Sequence, residues 1–144
     1  MIVKKLIIGL ILIVFSCKNQ EASPVMNSLD DNGFDMYEMS EMAALMEQMY
    51  VDNQLLKDRI KKGDSVGKLP NHFLKIHESV MTDESENDSF FKEQSAYFIT
   101  SQELIYKDPK NAKDHFNKGI DACISCHQVK CTGPISKIKK LYIK

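Results

Sequence analysis

Residues 112–127 have the sequence AKDHFNKGIDACISCH, which combines apolar helical spacing with two cysteines and a histidine. The positions three or four residues apart that would share one helix face are Ala112, Phe116, Ile120 and Cys123. Asp108-Pro109 precedes them, a capping residue followed by a proline suited to a first helical turn. Gly133-Pro134 follows as a typical stop. The pattern predicts an amphipathic helix that runs to about Lys130.

The first of three helical patterns upstream covers residues 35–62. Asp35 with Glu38 three positions later resembles a capping box at its start, and Lys61-Lys62-Gly63 is a typical stop. The apolar positions at helical spacing are rich in methionine: Met36, Met39, Met42, Ala43, Met46, Met49, Leu56 and Ile60. This spacing predicts a long helix with one apolar face.

Two shorter patterns lie between these helices. The one that opens at Leu69-Pro70 has an apolar face made of Phe73, Ile76, His77, Val80 and Met81. The next has two parallel rows at seven-residue spacing, namely Phe90, Tyr97 and Leu104 beside Phe91, Phe98 and Ile105. No run alternates in the manner of a strand. Four amphipathic helices with short links predict an all-α fold, an antiparallel four-helix bundle over residues 35–131.

The amino terminus predicts export. Lys4 and Lys5 form a short basic region, and residues 6–15 are an apolar run too short to span about 30 Å of hydrocarbon. Val14-Phe15-Ser16-Cys17 resembles a bacterial lipobox, which implies cleavage before Cys17 and acylation of that residue. Several acyl chains anchor a protein stably in a membrane. We expect residues 1–16 to be a lipoprotein signal peptide, with an ordinary secretory signal as the alternative.

Two segments flank the predicted bundle. Residues 17–34 are rich in Asn, Ser, Asp and Gly, which is typical of a flexible tether. Residues 132–144 form a basic tail with the lysines Lys137, Lys139, Lys140 and Lys144. Such a tail is usually solvated, but it can also steer an acidic redox partner or touch anionic lipid. The predicted location is the bacterial cell envelope, with the chain lipid-anchored and facing the periplasm or the exterior.

Length and charge limit the classes of protein to which the chain can belong. A chain of 144 residues suffices for one domain with a single core. Its formal net charge of −1, from 19 basic and 20 acidic residues, gives no general attraction to nucleic acid, so no such partner is expected. The 4 cysteines are too few for a disulfide scaffold, so their function has to be inferred from their spacing.

The motif Cys123-Ile-Ser-Cys126-His127 has the form CxxCH, which attaches c-type haem. On a helix, positions i, i+3 and i+4 share a face, so both thiols can reach the two vinyl groups of one porphyrin while the imidazole faces the iron. Covalent attachment of haem takes place outside the cytoplasm, in agreement with the predicted export. The motif predicts one covalently bound haem c.

Two other readings of the motif stay open from the sequence. A thioredoxin-like dithiol would require a βαβ context and an exposed helix N-terminus, whereas this motif lies at the carboxyl end of a helix. A zinc site would use Cys123, Cys126, His127 and Cys131, although the histidine follows a cysteine directly. Both readings fit the pattern less well than haem does.

The chain resembles the class II c-type cytochromes, cytochrome c′ and the low-spin cytochrome c-556. The resemblance covers about residues 35–131, and it rests on the CxxCH motif, on residues 116–122 before it and on residues 39–46, MSEMAALM. It implies thioether bonds at Cys123 and Cys126 and His127 as the proximal iron ligand. Lys130 is the one candidate for the basic or aromatic residue that the family has after the histidine. Residues 131–144 have no counterpart.

A methionine of the first helix is the expected sixth ligand of the iron. Met39 is the first choice and Met42 the second, because the start of the first helix would lie beside His127 at the end of an antiparallel fourth helix. A thioether ligand favours low-spin iron and a raised potential, which suit electron transfer.

Two functions follow from the predicted haem. The first is single-electron transfer at the membrane surface, and the alternative is a five-coordinate haem that binds a small gas such as NO or CO. No catalytic constellation is visible, so an enzyme is not expected. The expected partners are a membrane, redox proteins and, as a possibility, a second copy of the chain in a homodimer.

Overall fold

The structure is a computed structural model that describes residues 38–144. The predicted signal peptide of residues 1–16, the lipidation site Cys17 and the tether of residues 17–34 lie outside the described residues. Within residues 38–144 no helix combines the length and the apolarity that a membrane crossing requires.

All regular structure among residues 38–144 is helical, as the sequence predicts. The α-helices are α1 (Glu41–Lys62), α2 (Ser89–Lys107), α3 (Ala112–Lys130) and the short α4 (Ile135–Ile138). The 3-10 helices are Asn71–His77, Glu84–Glu86, Pro109–Asn111 and Lys139–Leu141. Three long α-helices therefore carry the fold, and the shorter elements connect and cover them.

Helix α1 begins after the predicted start at Asp35. Ser40 is its N-cap, and the Ser40 hydroxyl accepts a hydrogen bond from the Ala43 N–H at 3.1 Å. The same hydroxyl lies 2.8 Å from the Thr82 hydroxyl, so a distant segment helps to fix the start. The end is as predicted, because Gly63 adopts a left-handed conformation with φ of 72° that closes the last turn.

The second predicted α-helix is a 3-10 helix instead, Asn71–His77. At three residues per turn, residues i and i+3 share a face, and Phe73 and Ile76 are accordingly both buried. The tighter winding turns His77 away from this face, and both His77 and Val80 are exposed. Met81 of the predicted face is partly buried against the same cluster as Phe73 and Ile76, so the prediction of one shared apolar face fails only at His77 and Val80.

Helices α2 and α3 form an antiparallel hairpin joined by Asp108 and the 3-10 turn. The predicted heptad row Phe91, Phe98 and Ile105 is fully buried, whereas Tyr97 of the parallel row is 49% exposed. Gly119 lies at a close approach of the two helices, since a Cβ there would sit 3.4 Å from Gln102 Nε2 and 3.7 Å from Phe98. A larger side chain at this position would push the helices apart.

Helix α1 packs on this hairpin and runs antiparallel to α3. Met49 of α1 lies beside Cys123 near the end of α3, whereas Leu56, two turns further along α1, packs with Phe116 and Ile120 near its start. Two hydrophobic clusters result, one at each end of α1. The cluster beside the cysteines contains Met42, Leu45, Met49, Phe73, Ile76, Phe91, Phe98, Ile99 and Ala122. The second, aliphatic cluster contains Leu56, Ile105, Ala112, Phe116, Ile120, Ile124, Ile138, Leu141 and Ile143.

Residues 132–144 fold onto the protein rather than forming a solvated tail, which corrects the prediction. Ile138, Leu141 and Ile143 are buried in the aliphatic cluster. Asn117 of α3 pairs with the Ile143 backbone in both directions, each hydrogen bond being 2.9 Å long. Lys137, predicted to be a free surface lysine, pairs with Glu47 of α1. The lysines of this segment alternate with apolar residues, and the prediction of a solvated tail took only the lysines into account.

The buried C-terminal segment makes a testable contribution to stability. Leu141 is only 3% exposed, so Leu141→Ala should lower the free energy of unfolding by about 2–5 kcal/mol. Ser136→Ala, in the same segment at an exposed position, should change it by less than about 0.5 kcal/mol. Urea unfolding of both variants measures the two effects. Equal, small effects would show that the segment is not part of the core.

Candidate functional site

The CxxCH residues lie on the last two turns of α3 and face the first half of α1. Cys123, Cys126 and His127 are all partly buried. Two small cavities, of about 70 Å³ and 40 Å³, lie against them. The residues that line both cavities are Met46, Met49, Phe98, Cys123 and His127. The structure thus brings the predicted thiols and imidazole together beside an apolar wall that carries two thioethers.

His127 is held at the carboxyl end of α3 by the backbone of Cys131. His127 Nδ1 lies 2.9 Å from the Cys131 carbonyl oxygen, and the Cys131 N–H donates to the His127 carbonyl at 3.1 Å. Because a carbonyl only accepts, Nδ1 must carry the proton of the neutral ring, which leaves Nε2 with a free lone pair. Metal-bound histidines are usually oriented by this kind of contact.

The contact between His127 and the Cys131 backbone was not predicted from the sequence. Cys131 was predicted to act, if at all, through its thiol. In the structure this residue is exposed, and its backbone makes the two hydrogen bonds to His127. The available indication was the position of Cys131, four residues after His127 at the point where the helix stops.

Both cysteines of the motif are protonated near neutral pH. Burial raises the pKa of Cys123 to about 12, and the neighbouring Cys126 raises it further. Burial also raises the pKa of Cys126, against the opposing charge of Lys130. Reactive redox dithiols require a lowered thiol pKa, so this environment does not support the thioredoxin-like alternative.

The zinc alternative also finds no support in the geometry. Within residues 38–144 no group of three or more His, Cys, Asp or Glu side chains is placed to hold a metal ion. The four donors considered for zinc, Cys123, Cys126, His127 and Cys131, all lie in this range and do not form such a group.

The predicted sixth ligands Met39 and Met42 do not lie at the cavities beside His127, and their role toward iron stays a prediction. Met39 precedes the N-cap of α1 and is 49% exposed, whereas Met42 is buried in the core; neither lines the cavities beside His127. The segment after the 3-10 helix occupies the start of α1, where the Met42 N–H donates to the Val80 carbonyl at 3.0 Å. The end of α3 therefore contacts Met46 and Met49, which lie about two turns further along the chain than Met39 and Met42.

These residues fit a covalently attached haem in their chemistry. Two thiols and a free imidazole nitrogen share one face of α3, and the opposite wall offers thioethers and a phenyl ring. The cavities are smaller than the roughly 300–1,000 Å³ of pockets that enclose a ligand. Neither cavity would enclose a porphyrin as it stands.

Lys130 clamps the end of α3 to the start of α2, one turn beyond Cys126. Its Nζ lies 2.6 Å from Glu86 and 2.6 Å from Asp88, and the lysine side chain is only 16% exposed. Asp88 also caps α2 by accepting from the Phe91 N–H at 2.9 Å. The Lys130 ammonium and this N–H lower the pKa of Asp88 below its ordinary value of 3.8.

Comparison with protein-family models, with curated proteins and with solved structures finds no match for this chain.

The Lys130 clamp predicts a pH-dependent contribution to stability. Because the pKa of Asp88 is lowered in the folded state, its stabilising effect is present above 3.8 and is lost as the pH falls through the folded-state value. Lys130→Gln should therefore be destabilising at neutral pH and progressively less so below about pH 3.8. Urea unfolding across this pH range tests the trend.

Lys92→Gln is the matched control for this measurement, because Lys92 is exposed and has no ion pair among the described residues. A deficit of Lys130→Gln that stays constant down to strongly acidic pH would contradict the assigned role of the Asp88 carboxylate.

Proposed function

We propose that the protein is a c-type haem protein that transfers single electrons. The observation that carries this proposal is the arrangement at the end of α3, where Cys123 and Cys126 accompany a histidine whose Nδ1 is engaged by the Cys131 carbonyl. Nε2 is then the nitrogen available to iron, beside two protonated thiols. The resemblance of the motif to class II c-type cytochromes agrees with this arrangement.

Each residue of the site would have a separate role in holding the haem. The thiols of Cys123 and Cys126 would bond to the porphyrin edge, and His127 Nε2 would be the proximal ligand. When bound, the haem supplies a one-electron redox couple. Helices α1, α2 and α3 together with the Asn71–His77 segment supply the four helical pieces of the proposed haem bundle. The Lys130 clamp would keep the α3 end of this bundle closed.

The methionines of α1 favour electron transfer over gas binding. Met46 and Met49 both line the cavities that contain Cys123 and His127. A thioether that occupies the sixth position of the iron excludes exogenous ligands and raises the potential. We propose that one of these two residues takes the role that the sequence suggested for Met39 or Met42. A five-coordinate, gas-binding haem is the alternative if neither thioether binds.

Haem attachment and its ligand set can be tested on the same protein. After expression with a c-type haem maturation system, the haem should stay with the polypeptide under denaturing conditions, and Cys123→Ala or Cys126→Ala should leave at most one covalent link. The reduced absorption spectrum should change little on addition of CO. Denaturing electrophoresis, mass spectrometry and the CO difference spectrum are the measurements.

Single methionine variants provide the matched controls. Met46→Ala or Met49→Ala should yield a haem that binds CO, whereas Met39→Ala, at an exposed position outside α1, should behave like the unsubstituted protein. A denatured chain at the mass of the apoprotein would refute covalent attachment. Full CO binding by the unsubstituted protein, unaffected by either methionine change, would favour the gas-binding function.

We also propose that the chain works at the surface of a bacterial membrane as an exported lipoprotein. The basis is the sequence of residues 1–17, with its basic start, its short apolar run and the lipobox-like ending at Cys17. Redox proteins of the same membrane are the proposed partners. Several acyl chains would make the attachment stable, and they resist salt because their insertion is apolar.

The anchor makes a prediction about fractionation. The unsubstituted protein should remain with membranes after a high-salt wash, because salt screens charge but does not weaken acyl insertion. Cys17→Ser should lose the acyl modification, as measured by mass spectrometry. Recovery of unmodified, unsubstituted protein in the soluble periplasmic fraction would indicate an ordinary secretory signal.

A further inference from the structure

Five lysines gather at the end of α1 that lies away from the CxxCH motif. Lys57 and Lys61, one helical turn apart on α1, line a shallow cleft with three lysines of the C-terminal segment. The residues that line this basic cleft are Lys57, Lys61, Lys139, Lys140, Tyr142 and Lys144. No acidic side chain lines it. The chain as a whole carries a net charge of −1, so this local concentration of positive charge does not reflect its average composition.

The fold holds these lysines in place rather than leaving them on a loose tail. Lys57 Nζ donates to the Lys140 carbonyl at 2.6 Å, which joins the two halves of the cleft. The neighbouring residues Leu141 and Ile143 are buried, and the Tyr142 hydroxyl donates to Asp121. The C-terminal segment therefore cannot relieve charge repulsion by moving away from α1 without exposing its apolar residues.

The lysines of the cleft form no ion pair with another described residue, although the Asp121 carboxylate accepts a hydrogen bond from Tyr142 of the lining. Lys61, Lys139, Lys140 and Lys144 are exposed and none of them forms an ion pair within residues 38–144, in contrast to Lys107, Lys130 and Lys137. Asp58 lies between Lys57 and Lys61 in the sequence but does not line the cleft. An external anion is the partner that such a surface fits.

The position of the cleft indicates which kind of anionic partner it fits. Met46 lines the cavity beside His127, and Lys61 is fifteen residues further along α1, which at 1.5 Å per residue is about 22 Å. A redox protein docked on the cleft would sit far from the site at which electrons are proposed to leave. A membrane surface needs no such proximity, and its phosphate groups extend over the whole breadth of the lysine cluster.

We infer that the basic cleft is a docking surface for anionic phospholipid membrane. The inference goes beyond the proposed haem function, because the binding surface consists of five lysine side chains, but the choice of a membrane over a redox protein rests on the proposed position of the haem. Contact through this face would turn the CxxCH end of the protein away from the lipid, toward the domains of redox proteins that project from the same membrane. Each lysine near an anionic surface contributes about 1 kcal/mol, or roughly fivefold in partitioning.

Vesicle binding tests the inference with the acyl anchor removed. The chain from residue 17 onward, carrying Cys17→Ser, is mixed at low ionic strength with vesicles of phosphatidylcholine alone or with added phosphatidylglycerol. We expect sedimentation with the anionic vesicles only, reversed by salt. The variant K61Q/K139Q/K140Q should partition roughly 100-fold less strongly.

A second triple variant separates the cleft from a general effect of charge. Lys92, Lys110 and Lys113 are exposed and lie outside the cleft, so K92Q/K110Q/K113Q has the same net charge as the cleft variant and should bind nearly as well as the unsubstituted chain. Equal losses in the two variants, or no binding to anionic vesicles, would overturn the inference. Binding to polyglutamate in place of vesicles, or displacement by inorganic phosphate at matched ionic strength, would also overturn it. Circular dichroism confirms that both variants are folded.

Discussion

The close packing of α2 against α3 is the constraint on which the rest of the structure depends. Gly119 of α3 faces Phe98 and Gln102 of α2, and a Cβ at this position would lie 3.4–3.7 Å from their side chains. The hairpin then presents one continuous apolar face to α1 and to the C-terminal segment. At its open end the Lys130 clamp holds the last turns of α3, and with them the CxxCH residues.

A buried polar contact fixes how α1 sits on this hairpin. Gln102, which is fully buried, donates through Nε2 to the Asn53 Oδ1 at 2.9 Å, and Asn53 donates to the Met49 carbonyl at 2.8 Å. A shift of α1 by one turn would break the Gln102–Asn53 hydrogen bond and leave Gln102 Nε2 and Asn53 Oδ1 unpaired in the core, at a cost of about 1–3 kcal/mol for each group, whereas the Asn53–Met49 bond lies within α1 and would move with it. The register that places Met49 beside Cys123 is therefore specified by hydrogen bonds as well as by packing.

Local periodicity was sufficient to predict α2 and α3, because a face of large apolar residues specifies an α-helix without reference to its neighbours. The predicted start at Asp108-Pro109 is a 3-10 turn instead, and α3 begins after Asn111 without a side-chain cap. The motif at Cys123, Cys126 and His127 was also visible, since its residues are close in sequence. The position of the α1 methionines relative to His127 could not be predicted, because it depends on the distant contact between Val80 and the start of α1. The 3-10 winding of Asn71–His77 and the burial of Leu141 likewise arise from tertiary packing.

The two hydrophobic clusters differ in the kinds of side chain from which they are built. The aliphatic cluster is built from branched side chains with few rotamers and is closed by the C-terminal segment, whereas the cluster beside the cysteines includes unbranched, deformable methionines. Free energies of local opening differ along a structure in such cases. The deformable methionine side chains therefore lie at the same end of the molecule as Cys126 and His127, and most of the branched side chains lie at the other end.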